Sequence, residues 1–277
     1  MRSTAVLLVF LGVLADQSVA QRANVVEADD PRPMMALLDR IQAAHGVCIN
    51  YEDPPFQNSR DVEDVTSLVV RDKARDPSRR VLIPRGGKIQ IDAALFSNFS
   101  GPGGLLPVLA EANMAYQQGG YPGAFRIEQK GGVWHVEPSG IQAPDGSAKS
   151  IGPVMDAKVR LSGAQLPTVE VLQSVLDQAA QKAGTKILIG SLPLQAFVNA
   201  ATKTSADDES ASSVLARLLT SASVGQSPSC WSYRLLYDPG LKLYAFHLQL
   251  VTRPYVGAME APPSPQSGLK GKILQKE

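Results

Sequence analysis

The stretch that decides the fold is "LLDRIQAAHGVCINY", Leu37–Tyr51, because the chain contains a second version of it, "VLDQAAQKAGTKILI", Val175–Ile189. The two align without a gap at a constant offset of 138 residues. In each, apolar residues recur at helical spacing up to a glycine, Gly46 or Gly184, and alternate as in a strand after it. Glycine suits the left-handed backbone that ends many helices. Both stretches are therefore predicted to be a helix followed at once by a strand.

The two copies also agree in their second parts. Each continues with a leucine-rich helix pattern, "GPGGLLPVLAEANMAY" in the first copy and "DDESASSVLARLLTSAS" in the second. A hairpin pattern follows in both, with turns at residues 130–132 and 238–240. We therefore predict an α+β fold made of a tandem repeat of a small two-layer helix/sheet unit, in the order helix, strand, strand, helix, hairpin.

Composition outside these patterns predicts the domain boundaries. The first α+β domain is expected at residues 21–138, with an inserted hairpin near 61–88 that the second copy lacks. Residues 139–166 are rich in Gly, Pro and Ser and are predicted to be a linker. The second domain is expected at 167–252. The remaining residues, 253–277, have the composition of a disordered tail.

The first twenty residues, "MRSTAVLLVFLGVLADQSVA", have the pattern of a signal peptide. Arg2 precedes an apolar run, and small residues precede a predicted cleavage between Ala20 and Gln21. The mature chain is thus expected to be periplasmic or secreted. No later segment reaches the roughly 18 apolar residues that a spanning helix needs, so no transmembrane segment is expected after cleavage. The formal net charge of +1 provides no field that would attract a nucleic acid.

Cys48 and Cys230 are the only cysteines in the sequence. An oxidising compartment favours a disulfide between them, although two free or buried thiols are an alternative. A third interpretation makes Cys48 a nucleophile with His45 as its base. The second copy has Ala183 and Lys186 at the places of His45 and Cys48, so the shared fold does not require this pair.

Two further groups of residues suggest chemistry at first sight. Glu52 and Asp53 are adjacent, so in a strand they point to opposite sides and cannot act on one bond; they are expected at a solvated strand end. His45, His135 and His247 could supply three ligands to a metal ion. However, His135 and His247 fall at matching places in the two hairpins, on faces expected to be outward. No catalytic, cofactor-binding or metal-binding residue is therefore predicted.

The order of helix, glycine, apolar strand, leucine-rich helix and hairpin resembles the short secretin and TonB-receptor N-terminal (STN-like) domain. The matching segments are "GVCINY" and "GTKILI" after the helix glycines, and "SASSVLARLL" in the later helix. The resemblance covers most of residues 167–251, and residues 33–138 more loosely. It implies a small periplasmic domain that binds other proteins or assembles into rings, without catalysis.

These observations favour an exported, non-catalytic protein-binding or scaffold module of the bacterial cell envelope. An edge strand offered to an envelope protein partner is the expected mode of binding. One alternative is a small-ligand carrier that binds its ligand between the two domains. A less favoured alternative is a hydrolase with a site that the sequence does not reveal. No cofactor is expected.

Overall fold

The computed structural model describes residues 25–69, 80–98, 104–193, 195, 197, 200–221 and 229–252. The predicted signal peptide, with its cleavage site at Ala20 and Gln21, and the predicted tail at 253–277 lie outside these residues. Within the described ranges, each helix is too short or too polar to cross a membrane.

Helices and strands alternate irregularly along the chain. In the first half they are β1 (Val25–Asp30), α1 (Pro33–His45), β2 (Ile49–Glu52), β3 (Val62–Asp64), α2 (Thr66–Val69), β4 (Leu82–Pro84), β5 (Gly87–Asp92), α3 (Ala93–Asn98), α4 (Leu105–Gln118), β6 (Ala124–Lys130), β7 (Val133–Gln142) and β8 (Ala148–Ser150). In the second half they are β9 (Lys158–Pro167), α5 (Thr168–Ala183), β10 (Ile187–Ser191), β11 (Ala201–Ser210), α6 (Ala211–Ser221), β12 (Ser229–Asp238) and β13 (Leu243–Thr252). This mixture of helices and sheets confirms the predicted α+β class.

The helix-to-strand junctions that decide the fold form as predicted. Gly46 follows α1 with φ 60° and ψ 30°, and Gly184 follows α5 with φ 64° and ψ 34°. A residue with a Cβ atom adopts this left-handed conformation only at a cost, which explains the glycine at both places. The strands β2 and β10 begin at Ile49 and Ile187, at the same distance from their glycines.

One seven-stranded sheet runs through both halves, in the order β10-β13-β12-β2-β7-β6, with β8 added beside β7. Each half contributes an antiparallel hairpin and one strand parallel to the second strand of that hairpin. The bond from Trp134 N to Cys48 O in the first half, 3.0 Å long, matches the 2.8 Å bond from Tyr244 N to Lys186 O in the second. Descent of the two halves from one repeated unit stays a prediction.

The two halves meet where β12 pairs in parallel with β2, with Arg234 opposite Tyr51 and Leu235 opposite Glu52. Residues opposite each other in a sheet point to the same face. Tyr51 belongs to the core under the first-half helices, whereas Leu235 belongs to the core under the second-half helices. The helices of the two halves therefore cover opposite faces of one sheet.

Each face of the sheet has its own apolar core. The core of the first half includes Met34, Leu37, Leu38, Ile41, Ile49, Tyr51, Ile89, Ile91, Leu105, Val108, Leu109, Trp134 and Val136. The core of the second half includes Met155, Val159, Leu172, Val175, Leu176, Val214, Leu215, Leu218, Tyr233, Leu235, Tyr244 and Phe246. Burial of these side chains is the main source of stability in both layers.

Three smaller strand pairs lie outside the main sheet, and two of them were not expected. The pair β1–β5 packs beside the first half, and the pair β9–β11 packs beside the second. The predicted linker at 139–166 instead carries the end of β7, β8 and most of β9: β8 pairs with the end of β7 in a local hairpin, and β9 pairs with the more distant β11. In the inserted segment near 61–88, β3 and β4 pair antiparallel. Residues 66–69 there form the short helix α2 rather than a strand, and residues 70–79 lie outside the described part.

Candidate functional site

The junction between β2 and β12 holds buried polar side chains. Arg234 is only 4% exposed, and its Nε and Nη2 atoms donate to Oδ1 of Asp39 on α1 at 3.1 and 2.7 Å. Its Nη1 donates to the backbone oxygen of Ile49 at 2.5 Å. Ser232, two residues earlier on β12, donates to Oε1 of Gln42 at 3.0 Å. The charge-assisted bonds of Arg234 help to fix the position of β12 beside β2 and the register of the two strands.

A disulfide lies at one end of the same junction. The structure joins Cys48, directly before β2, to Cys230 on β12, with 6.1 Å between the Cα atoms. This spacing is within the usual range for a disulfide. The ring of His45 packs edge-on against Phe96 with 4.9 Å between centroids. Cys48 is thus a disulfide partner, and the arrangement is not that of a thiol nucleophile with His45 as its base.

Asp53 is fully buried, in contrast to the solvated position expected from the sequence. Its carboxylate accepts bonds from Arg32 Nε and Tyr51 Oη, both at 2.7 Å, and from Tyr237 N at 2.9 Å. Burial raises the pKa of Asp53, and the Arg32 guanidinium opposes this effect. The residue is covered because Tyr237, more than 180 residues away in sequence, belongs to the adjacent strand.

Glu52 is also buried, on the opposite face from Asp53, as expected for adjacent strand residues. Its carboxylate accepts the backbone N–H groups of Val154 and, at 3.3 Å, of Met155. Burial raises the pKa of Glu52 to about 8, assisted by the nearby charge of Glu137. Glu52 therefore anchors the segment that connects the two halves to the central strand of the sheet.

Glu137 lies on β7 in a network of charges. Its carboxylate contacts Arg126 at 3.0 Å, Lys130 at 3.2 Å and His135 at 3.3 Å. Burial raises the pKa of Glu137, but these three neighbours together lower it to about 2. A carboxyl pair with such different pKa values resembles the acid–base pairs of enzymes. Glu52 and Glu137 are 1% and 0% exposed, however, so no substrate can reach them in this structure.

The predicted equivalence of His135 and His247 is wrong, because the strand registers differ. His135 lies opposite Asn50 and is buried at 2% exposure beneath the ring of Tyr233. His247 lies opposite Ser191, whose hydroxyl is 3.0 Å from its Nδ1 atom. Among the described residues, no group of three His, Cys, Asp or Glu side chains is arranged to hold a metal ion.

The titration of Glu52 predicts a pH-dependent stability. Between its ordinary pKa near 4.5 and its folded value of about 8, the folded chain binds a proton that the unfolded chain releases, so the free energy of unfolding falls as the pH rises across this window. Glu52→Gln should flatten this fall by roughly 2–4 kcal/mol between pH 5 and pH 8. Urea unfolding of both proteins at several pH values measures how the free energy of unfolding changes with pH. Exposed Glu170→Gln is the control, and an unchanged slope in Glu52→Gln would contradict the assignment.

A cleft opens beside the connecting segment, between the two halves. It has a volume of about 620 Å³ and is lined by residues 151–154, the end of α5 and the β12–β13 hairpin. Lys182 and Lys242 contribute positive charge to its walls, Asp156 contributes negative charge, and Tyr237 and Tyr244 contribute aromatic surface. This volume lies within the range of small-molecule sites.

The two ends of the main sheet are the other candidate binding surfaces. Within the described residues, β10 and β6 each pair with a strand on one side only. Leu188 on β10 is 55% exposed, although it belongs to a regular strand. An edge strand with an exposed apolar side chain is a typical place for another strand to add.

Sequence reasoning missed Arg32, Asp39 and Arg234, which organise the junction. A signal was present for Arg234, a single charged residue within the apolar strand pattern "SYRLLY". No local signal identifies Asp39 or Arg32, because both lie on or next to a helix where a solvated charge is ordinary. Their role follows only from the strand that packs beside them.

Together these features define a mixed α+β protein with one main sheet, whose halves are held by parallel strand pairing, by hydrogen bonds and an ion pair of the buried Arg234, and by a disulfide. No protein-family model matches the chain, no curated protein matches it, and no solved structure matches it.

Proposed function

We propose that this chain is an exported, non-catalytic protein-binding or scaffold module of the bacterial cell envelope. Its binding surface is the edge of the main sheet, and its partner is an envelope protein. The observation that carries the proposal is the pairing of β12 with β2, in which this fold already accepts an added parallel strand at the edge of a three-stranded unit. The signal-like N-terminus and the STN-like pattern also support it.

The edge of β10 offers the groups that strand addition requires. Lys186 O accepts a bond from Tyr244 N, so by strand alternation Leu188 directs its backbone groups toward β13. The backbone N–H and C=O groups of Ile187 and Ile189 then point outward. An extended segment of a partner can bind these groups and cover Leu188.

Capture from a native envelope extract tests the proposal. The oxidised mature chain, residues 21–277, is immobilised in wild-type form, as Leu188→Lys, and as the control Leu166→Lys. Leu166 is 40% exposed on β9, outside the main sheet. Wild type and control should retain the same envelope protein, and Leu188→Lys should retain at least about tenfold less, because it places a charge in an apolar contact. Equal capture by all three chains, or capture by none, would contradict the binding of an envelope protein at this edge.

A small-ligand carrier is the second candidate, and the cleft of about 620 Å³ between the halves favours it. Its lysines, aspartate and tyrosines suit a small polar molecule with an apolar portion. Native mass spectrometry of the captured samples separates the two candidates. A small molecule that stays bound to the chain, with no protein partner, would favour the carrier. Neither candidate requires a cofactor or a catalytic residue.

A further inference from the structure

The internal junction provides a template for contacts at the two sheet ends. Hydrogen-bond register assigns corresponding positions in the two halves. Ile49 lies opposite Trp134 as Ile187 lies opposite Tyr244. Strand β10 therefore takes the place of β2.

The hairpins correspond in the same register. Ile127 lies opposite Val136, and Leu235 lies opposite Phe246. Strand β6 therefore takes the place of β12, and Arg126 takes the place of Arg234. Strands β2 and β12 pair with each other inside the chain. Their counterparts β10 and β6, at the two outer edges, are therefore expected to be able to pair in the same way.

The strand directions allow this pair to form between two molecules. Strand β6 is antiparallel to β7, and β10 is antiparallel to β12 through its parallel pairing with β13. Strands β7, β2 and β12 are all parallel, so β6 and β10 run in the same direction. A second copy shifted along the sheet, without being turned over, thus sets its β6 parallel to β10 of the first. This contact joins two different surfaces, so each added copy leaves one β6 edge and one β10 edge free to bind a further copy.

Exposed apolar side chains occupy the positions that this contact would cover. Asn50 on β2 lies under α6 and lines a small cavity of about 170 Å³ with Ser212 and Thr220. Leu188 has the place of Asn50 at the outer edge and is 55% exposed. The polar internal contact therefore has an apolar counterpart on β10.

The facing helix shows the same change from polar to apolar. Helix α4 aligns with α6 through the shared "VLA" at residues 108–110 and 214–216. This alignment places Leu106 and Met114 where α6 has Ser212 and Thr220. Leu106 is 48% exposed and Met114 is 55% exposed. Three exposed apolar side chains thus lie on two surfaces that the template brings together.

A charge pair corresponds as well. Inside the chain, Arg234 on β12 binds Asp39 on α1 at 2.7 Å. Arg126 on β6 has the place of Arg234, and the exposed Asp177 on α5 has the place of Asp39. Arg126 already donates to Glu137 and Asp156 through its Nε and Nη2 atoms, so a carboxylate from a second copy would approach its Nη1 side.

We propose that the partner of the β10 edge is the β6 edge of a second copy of this chain, so that the protein assembles head to tail through one continued sheet. The proposal rests on the proposed edge-binding function and names the partner. Leu188 of one copy packs against Leu106 and Met114 of the next, and Asp177 pairs with Arg126. Cys48 of the internal junction is replaced by Lys186 at the outer edge, so these contacts lack the disulfide and are reversible.

Sedimentation of the oxidised mature chain over a range of concentrations tests this assembly. Wild type should form dimers, trimers and larger species. Leu188→Lys and Met114→Lys should each stay monomeric, with association weakened at least about tenfold, because each lacks one of the two surfaces. An equimolar mixture of the two variants should form dimers and nothing larger, since each retains the surface that the other has lost. That recovery also shows that both variants fold. Leu166→Lys should assemble as wild type does.

Three results would overturn the assembly: a wild-type chain that is monomeric up to roughly 1 mM, a Leu188→Lys or Met114→Lys chain that still dimerises alone, or a variant mixture that stays monomeric. A symmetric dimer would give the second or third result. If wild type is monomeric but captures an envelope protein through Leu188, self-assembly fails and the proposed function stands. If wild type assembles but captures no envelope protein, the binding of other proteins fails and self-assembly stands.

Discussion

Loss of the disulfide between Cys48 and Cys230 should lower the free energy of unfolding by about 4–5 kcal/mol. The bond closes a loop with a sequence separation of 182 residues, so it removes much conformational freedom from the unfolded chain. It also ties β2 to β12, the strands on which the two halves meet. Urea unfolding of the oxidised and reduced protein measures the difference.

The double variant Cys48→Ala with Cys230→Ala is the matched control. It should have the stability of the reduced wild type and should not respond to reductant. Mass spectrometry of the protein purified from its native cells, before and after reduction, establishes whether the thiols are joined. Free thiols at both positions, or equal stability of the oxidised and reduced chains, would contradict the pairing.

Replacing Asp53 by alanine should cost about 3–5 kcal/mol of unfolding free energy. The carboxylate is fully buried and accepts bonds from Arg32, Tyr51 and Tyr237, so its removal leaves a charge and two donors without their acceptor. Asp53→Asn should cost less than alanine, because it keeps the volume and one carbonyl oxygen. Urea unfolding of the purified variants measures both losses.

Asp29→Ala provides the reference for an exposed aspartate in the same part of the chain. Asp29 lies on β1 and is exposed, so its replacement should change the stability by no more than about 0.5 kcal/mol. A similarly small effect at Asp53 would show that the Arg32 contact is solvated and that the junction is looser than the structure describes.

The internal junction and the outer edges differ in a way that bears on function. The contact between β2 and β12 is polar and closed by a disulfide, which suits a permanent connection within one chain. At the outer edges Leu188, Leu106 and Met114 are exposed, which suits contacts that form and separate. The same strand geometry thus serves a fixed joint inside the molecule and, in our proposal, reversible binding outside it.

Much of the fold could be predicted from short-range patterns. Helix α1 and strand β2 were identifiable because apolar spacing reports the local period, and Gly46 reports a local backbone conformation. The β6–β7 and β12–β13 hairpins were identifiable for the same reason, since their turns are short. The pairing of β1 with β5 and of β9 with β11 was not, because the two strands of each pair are distant in sequence.

The candidate site could be predicted much less well. Glu52, Asp53 and His135 were expected in solvent, and all three are buried. Their residue types and neighbours are ordinary for a strand end or an outer sheet face. What covers them is the other half of the chain, and no local pattern contains that information.

The amino-acid sequence alone determined the α+β class, the helix-glycine-strand junctions and the two closing hairpins. Each of these depends on residues that are close to one another in sequence. Only the tertiary structure decided that β12 adds to β2, that the helices of the two halves cover opposite faces, and that Glu52, Asp53 and Arg234 are buried. Burial and ion pairing depend on which distant surfaces meet, and that meeting is set by the packing of the whole chain.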